Sequence, residues 1–188
     1  MIKKDLLKFI FELSQLRKIK HEGWRLVGID NPESVADHSL RAAQIGFLLA
    51  ELEGYENPLE MCSILVFHDI EECRVGDIHK IANRYIKVDE EAVVKEQTEK
   101  LDEMGKKVFE LWKKSEEITT RAGIIAKDAD LLEQAFTAKE FMEKGYTFAQ
   151  DWINNVSKKL QTKSAKDILV LLKEVNSNDW WQGLKKID

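Results

Sequence analysis

Cysteine, proline and glycine are all scarce in this sequence, with two cysteines, two prolines and nine glycines in 188 residues. Cys62 and Cys73 alone make no disulfide framework, and a reducing cytoplasm fits them. So little punctuation speaks against many short strands and turns. It predicts long helices joined by short loops. Alternating β-branched runs are also rare, so no substantial sheet is expected. No apolar run approaches the roughly 18 residues of a membrane span, and the opening Met1-Ile2-Lys3-Lys4-Asp5 lacks a secretory apolar core. Net charge is −5, not positive, which argues against a general affinity for nucleic-acid polymers or acidic membranes.

Apolar residues make up 44% and charged residues 34%, the composition of one well-buried globular domain. That domain is expected to be all-α and to span residues 1–188. A first amphipathic helix is predicted over 4–20, followed by a loop from Glu22 to Glu33. Ser34 and Asp37 then form a capping-box-like signal for a helix with His38, Ala42, Ile45, Leu49 and Leu52 on one stripe. Asn57-Pro58 reads as the start of a third helix. That helix runs apolar almost all round into His68-Asp69, which predicts the central buried helix. A charged helix is expected over 89–104 with Gly105 as its C-terminal cap. The longest helix spans 118–144, and two shorter ones lie near 149–160 and 164–175. Trp180-Trp181 near the end suggests packing back onto the domain or a subunit contact.

The chemistry gathers around Val66-Phe67-His68-Asp69-Ile70-Glu71-Glu72-Cys73-Arg74-Val75-Gly76-Asp77. His68 and Asp69 can each ligate a metal, and Glu72 follows Asp69 by one helical turn. Gly76 permits a turn that brings Asp77 back toward the same space. His38 upstream, and either Asp128 or Asp130 downstream, would complete two imidazoles and two carboxylates. The two aspartates lie about 200° apart on a helix, so they would not bind one ion together. Taken singly, each residue has a plainer reading. His38 can be a core histidine, Trp24 core packing, Asp77 a turn or cap aspartate, and Glu71 a surface glutamate. Cys73 reads as packing.

The order His38, His68-Asp69, Asp130 resembles the HD-domain metal-dependent phosphohydrolases, a helical-bundle fold related to phosphodiesterases. Closer still is the 5'-deoxynucleotidase branch, through Gly23-Trp24, Pro32-Glu33-Ser34-Val35-Ala36-Asp37-His38, His68-Asp69-Ile70-Glu71-Glu72-Cys73, Gly76-Asp77-Ile78 and Lys127-Asp128-Ala129-Asp130. These motifs cover roughly residues 20 to 135. The resemblance implies one divalent metal (Mn, Co, Fe, Ni, Zn or Mg) held by His38, His68, Asp69 and Asp130, and it is the ground for choosing Asp130. It implies Glu72 as the catalytic residue that orients or deprotonates the attacking water. It implies Asp77 as acceptor for the sugar 3'-hydroxyl and Trp24 as the residue excluding a 2'-hydroxyl. Relatives often carry a phosphate-binding Arg just ahead of this Trp. Here the Arg follows, as Arg25, and either it or Lys20 is the candidate. The expected substrate is a small deoxynucleotide, and a homodimer is expected because relatives are often dimers. The rival readings are another nucleotide phosphohydrolase or phosphodiesterase, and a metal-stabilised signalling or scaffold module without turnover.

Overall fold

Helix follows helix from residue 4 onward in a computed structural model that describes residues 3–184. Met1, Ile2 and residues 185–188 lie outside it. Among the described residues there are nine α-helices and no strand. They are α1 (Lys4–Leu13), α2 (Val35–Leu52), α3 (Pro58–Val66), α4 (Glu72–Val75), α5 (Glu90–Thr98), α6 (Asp102–Glu116), α7 (Arg121–Glu143), α8 (Gln150–Ser157) and α9 (Lys163–Leu171). None is long and apolar enough to cross a membrane, and the two cysteines are unpaired.

The local signals explain most boundaries. Ser34 and Asp37 close a full capping box at the start of α2, and Asn57 with Pro58 starts α3. The expected loop after residue 20 contains a 3-10 helix, Glu22–Val27. It is anchored where the His21 N–H donates to the Glu33 carbonyl (3.0 Å) and the Val35 N–H to the Ile19 carbonyl (3.0 Å). This clasp sets His21 beside the first turn of α2.

Two expectations fail. The central helix is α7, not α3, whose Leu59 and Val66 are exposed. Small residues at Gly123, Ala126, Ala129, Ala135 and Ala138 are buried on α7. They let α2, α3, α6, α8 and α9 all pack against it. Apolarity of α3 alone misleads because small side chains admit neighbours on several faces, whereas large ones need only one. The second failure is Gly105, which lies inside α6 and caps nothing. The chain instead turns at Asp102, with φ 53°, and the 3-10 segment Glu99–Leu101 separates α5 from α6.

Gly105 serves a close approach. A Cβ there would fall 2.0 Å from the Thr98 carbonyl oxygen. Backbone cannot swing aside as a side chain can. Gly105→Ala is therefore expected to destabilise by about 1–3 kcal/mol despite the better helix propensity of alanine, as read from the denaturant midpoint. A midpoint equal to or above wild type would show that the α5–α6 turn yields freely.

Candidate metal centre

α3 ends at Val66, and the chain turns through Phe67–Glu71 before α4. His68 and Asp69 therefore sit on a turn at the helix end rather than within it. That turn faces the N-terminal part of α2 and the middle of α7, which carry His38 and Asp130. Donor atoms of His38, His68 and Asp130 lie within 4.8 Å of one another. An Asp69 oxygen lies 3.1 Å from His68 Nε2 and 3.6 Å from His38 Nε2. Asp130 Oδ1 lies 3.3 Å from His38 Nε2. All four residues named from the sequence thus meet at one point.

The two imidazoles are turned to present Nε2. His68 Nδ1 donates to the Leu65 carbonyl (2.7 Å), and His38 Nδ1 donates to the Glu133 carboxylate (2.5 Å). A ring whose Nδ1 is committed in this way keeps its Nε2 lone pair for an ion. His68 Nε2 is buried without a hydrogen-bond partner, so the donor set fits a divalent cation.

Glu133 is a residue the sequence reading passed over. It is fully buried, and besides His38 it accepts from Arg41 Nε (2.9 Å) and Thr137 Oγ1 (3.0 Å). Its spacing of three from Asp130 places both on one face of α7, the only sequence signal that could have found it. Arg41 is spent here and on Glu140 (2.6 Å).

Asp128 is settled by its neighbours. It accepts from the Gln161 and Thr162 backbone N–H groups at 2.7–3.1 Å and from Thr162 Oγ1. It holds the start of α9, on another side of α7.

A cavity of about 460 Å³ opens beside the four residues. Glu72 and Asp77 both line it. Glu72 Oε2 is buried with no partner. Asp77 accepts the Glu22 N–H (2.6 Å), a long-range tie to the 3-10 segment rather than a cap of its own turn, and still lines the cavity. Glu71, read as a surface residue, is buried and accepts from the Trp112 indole N–H (2.9 Å).

Two expected substrate contacts are corrected. Trp24 has no exposed surface and does not border the cavity. It is enclosed by Trp152, Phe141 and His21. Arg25 is drawn off to Glu22 Oε2 (2.5 Å) and the Asp30 carbonyl (2.8 Å). The cations that do line the cavity are Lys80 and Lys127. The Lys127 ammonium lies 2.7 Å from Asp130 Oδ2.

The electrostatics follow from this crowding. Burial pushes the Asp130 carboxyl up, but Lys127 and the two histidines more than reverse it, and it sits well below the usual range. Burial lowers His38, yet Glu133 and Asp130 hold it well above the ordinary imidazole value. Burial, then the charges of Asp69 and Asp77, push Glu72 up to about 10. Burial and Asp69 push Glu71 up to about 9. So dense a carboxylate cluster is costly without a cation among its members.

Comparison with known proteins agrees with this geometry. Residues 13–172 match the family described as HD domain. The 5'-deoxynucleotidase HDDC2 of Xenopus laevis is 30% identical over 84% of this chain and 81% of its own. The protein of the same name from Dictyostelium discoideum is 30% identical over 73% of this chain and 77% of its own. A genomics crystal structure superposes with a TM-score of 0.80 at 35% identity, covering 95% of this chain and 99% of that one. This chain belongs to the HD-domain family of metal-dependent phosphohydrolases.

Proposed function

We propose that this protein is a 5'-deoxynucleotidase that hydrolyses deoxynucleoside 5'-monophosphates at one divalent ion held by His38, His68, Asp69 and Asp130. The observation that carries the reading is the meeting of these four side chains beside a carboxylate oxygen of Glu72 that is buried and unpartnered. A site serving stability alone has no use for that extra carboxylate. That its relatives are named 5'-deoxynucleotidases supports the choice of substrate.

Two imidazoles and two carboxylates suit a borderline divalent ion such as Mn, Fe, Co, Ni or Zn, with Mg as the harder alternative. When bound, such an ion supplies Lewis acidity and offsets the charge of the phosphoryl group. The chain does the rest. Glu72, ionised once a cation offsets the charges of Asp69 and Asp77, would take a proton from the attacking water, whose oxygen bonds to phosphorus as the bond to the sugar 5'-oxygen breaks. The departing oxygen takes up a proton from solvent and leaves as the hydroxyl of the nucleoside. Glu133 fixes the orientation of His38. Lys127 and Lys80 take the phosphate-binding role first assigned to Arg25. Asp77 accepts the 3'-hydroxyl. Trp24 contributes by packing, not by touching the sugar.

The deciding assay is phosphate release from matched deoxy- and ribonucleoside monophosphates with each candidate metal. Deoxynucleotides are expected to be preferred, and release from none of them with any metal would reject the reading. A homodimer in the cytoplasm completes the proposal. Trp180 is 77% exposed and borders an apolar groove with Leu171 and Val175; light scattering gives the mass in solution.

A ligand imidazole must give up its Nε2 proton, and Glu133 and Asp130 hold His38 well above the ordinary imidazole value, so an ion competes with a proton there. Ion affinity is therefore expected to weaken as pH falls, by up to about tenfold per unit for each proton released on binding. Titration calorimetry in buffers of different ionisation enthalpy reads the proton count. A pH-independent affinity would contradict imidazole ligation.

A further inference from the structure

Part of the cavity lining comes from α8, and the chemistry of phosphate hydrolysis has no use for it. Asp151, Trp152 and Asn155 line it from α8, and Leu26, Ile78 and Ile81 supply apolar neighbours. Positions 151, 152 and 155 share one face of a helix. Trp152 is held firmly. Its indole stacks on Trp24, with ring centroids 5.0 Å apart and planes 29° apart. Trp24 is itself wedged edge-on against Phe141 and His21. A file of rings thus runs His38, His21, Trp24, Trp152, with centroid spacings of 4.8, 5.8 and 5.0 Å. It links the α8 wall to the metal ligand His38 through three ring contacts, and both border the same cavity.

We propose that the α8 wall is the base subsite and that Trp152 is the surface on which the nucleobase stacks. The inference rests on the nucleotidase reading above and adds what that reading leaves open, the contact that recognises the base. An indole fixed by its own stacking partner loses little freedom when a ligand covers its remaining surface. Every base has a π-face, so such a platform is tolerant of sequence. Asp151 and Asn155 stand at the rim, where base edges carry hydrogen-bonding groups. All four common deoxynucleotides are accordingly expected as substrates, with the rim setting modest preferences among them.

The test compares a deoxynucleoside 5'-monophosphate with 2-deoxyribose 5-phosphate, which lacks the base, on the metal-loaded full-length protein. In wild type the nucleotide should have the higher kcat/KM by about 5- to 150-fold, the range spanned by base–aromatic stacks. Equal values would overturn the subsite without recourse to any variant. Trp152→Leu keeps apolar volume against Trp24 but has no π-face. Its nucleotide-to-sugar ratio should collapse toward one, with the change carried by KM, and Trp152→Phe should restore most of it. A Trp152→Leu ratio equal to wild type would overturn the subsite and leave the nucleotidase reading standing. Wild-type protein that turned over neither compound would sink that reading and the subsite together.

Discussion

Asp130→Ala is expected to lose the ion and the phosphatase activity in one step, while Asp128→Ala, two residues away, keeps both. Asp130 is buried at the centre, within 3.3 Å of His38 Nε2. Deleting one of four protein ligands should weaken ion affinity by more than the 10- to 100-fold that loss of an outer-shell partner costs. The melting temperature in excess metal should fall as well, because an ion binding only the folded chain stabilises it by about 2.7 kcal/mol at a hundredfold excess over Kd. Asp128 faces the other way and holds Gln161 and the capping residue Thr162 ahead of α9. Its loss should cost about 1–3 kcal/mol of fold stability by stranding those donors, with or without metal. Metal content by atomic spectroscopy, with paired melts in metal and in chelator, separates the two. Full occupancy in Asp130→Ala, or an empty site in folded Asp128→Ala, would refute the ligand set.

Glu72→Gln should divide chemistry from binding. The amide keeps the volume and a polar oxygen but accepts no proton. Turnover is expected to drop about 10²- to 10⁴-fold with the ion still bound. The same change should stabilise the ion-free protein. The folded chain raises the Glu72 carboxyl to about 10, against roughly 4.5 unfolded. That group favours folding most below about pH 4.5, and the benefit is lost progressively as pH rises toward 10. Removing the carboxyl removes this loss, so melts in chelator should show the variant gaining on wild type from pH 5 to pH 9. Unchanged turnover would make Glu72 a bystander. Loss of the ion would make it a ligand.

What the sequence disclosed and what it hid divide by distance along the chain. The capping box at Ser34 and Asp37 was legible because both partners lie within one turn. The gathering of His38, His68, Asp69 and Asp130 was legible through a resemblance resting on several motifs in a fixed order. Glu133 stayed hidden because its partner His38 is 95 residues away and a glutamate on a charged chain attracts no notice. Glu71 was misread because only the fold brings the Trp112 indole to it, across 41 residues. Gly105 was misread because glycine marks a helix end and a tight contact alike, and only the nearby Thr98 carbonyl tells them apart. Trp24 was assigned to the substrate by analogy. Trp152, which does border the cavity, carries no motif.

Helix α7 joins two kinds of work. It is the spine against which most other helices pack, and within six residues it bears Asp128, Asp130 and Glu133. A mutation there that tuned the catalytic centre would also strain the core. A lineage adapting this scaffold to new substrates therefore has little room to move on α7. Its freedom lies at the margin of the cavity, on α8 and on the segments around Leu26 and Ile78–Asn83, where side chains change without disturbing the spine. Divergence in selectivity should accumulate at that margin, and the hydrolytic step should outlast it.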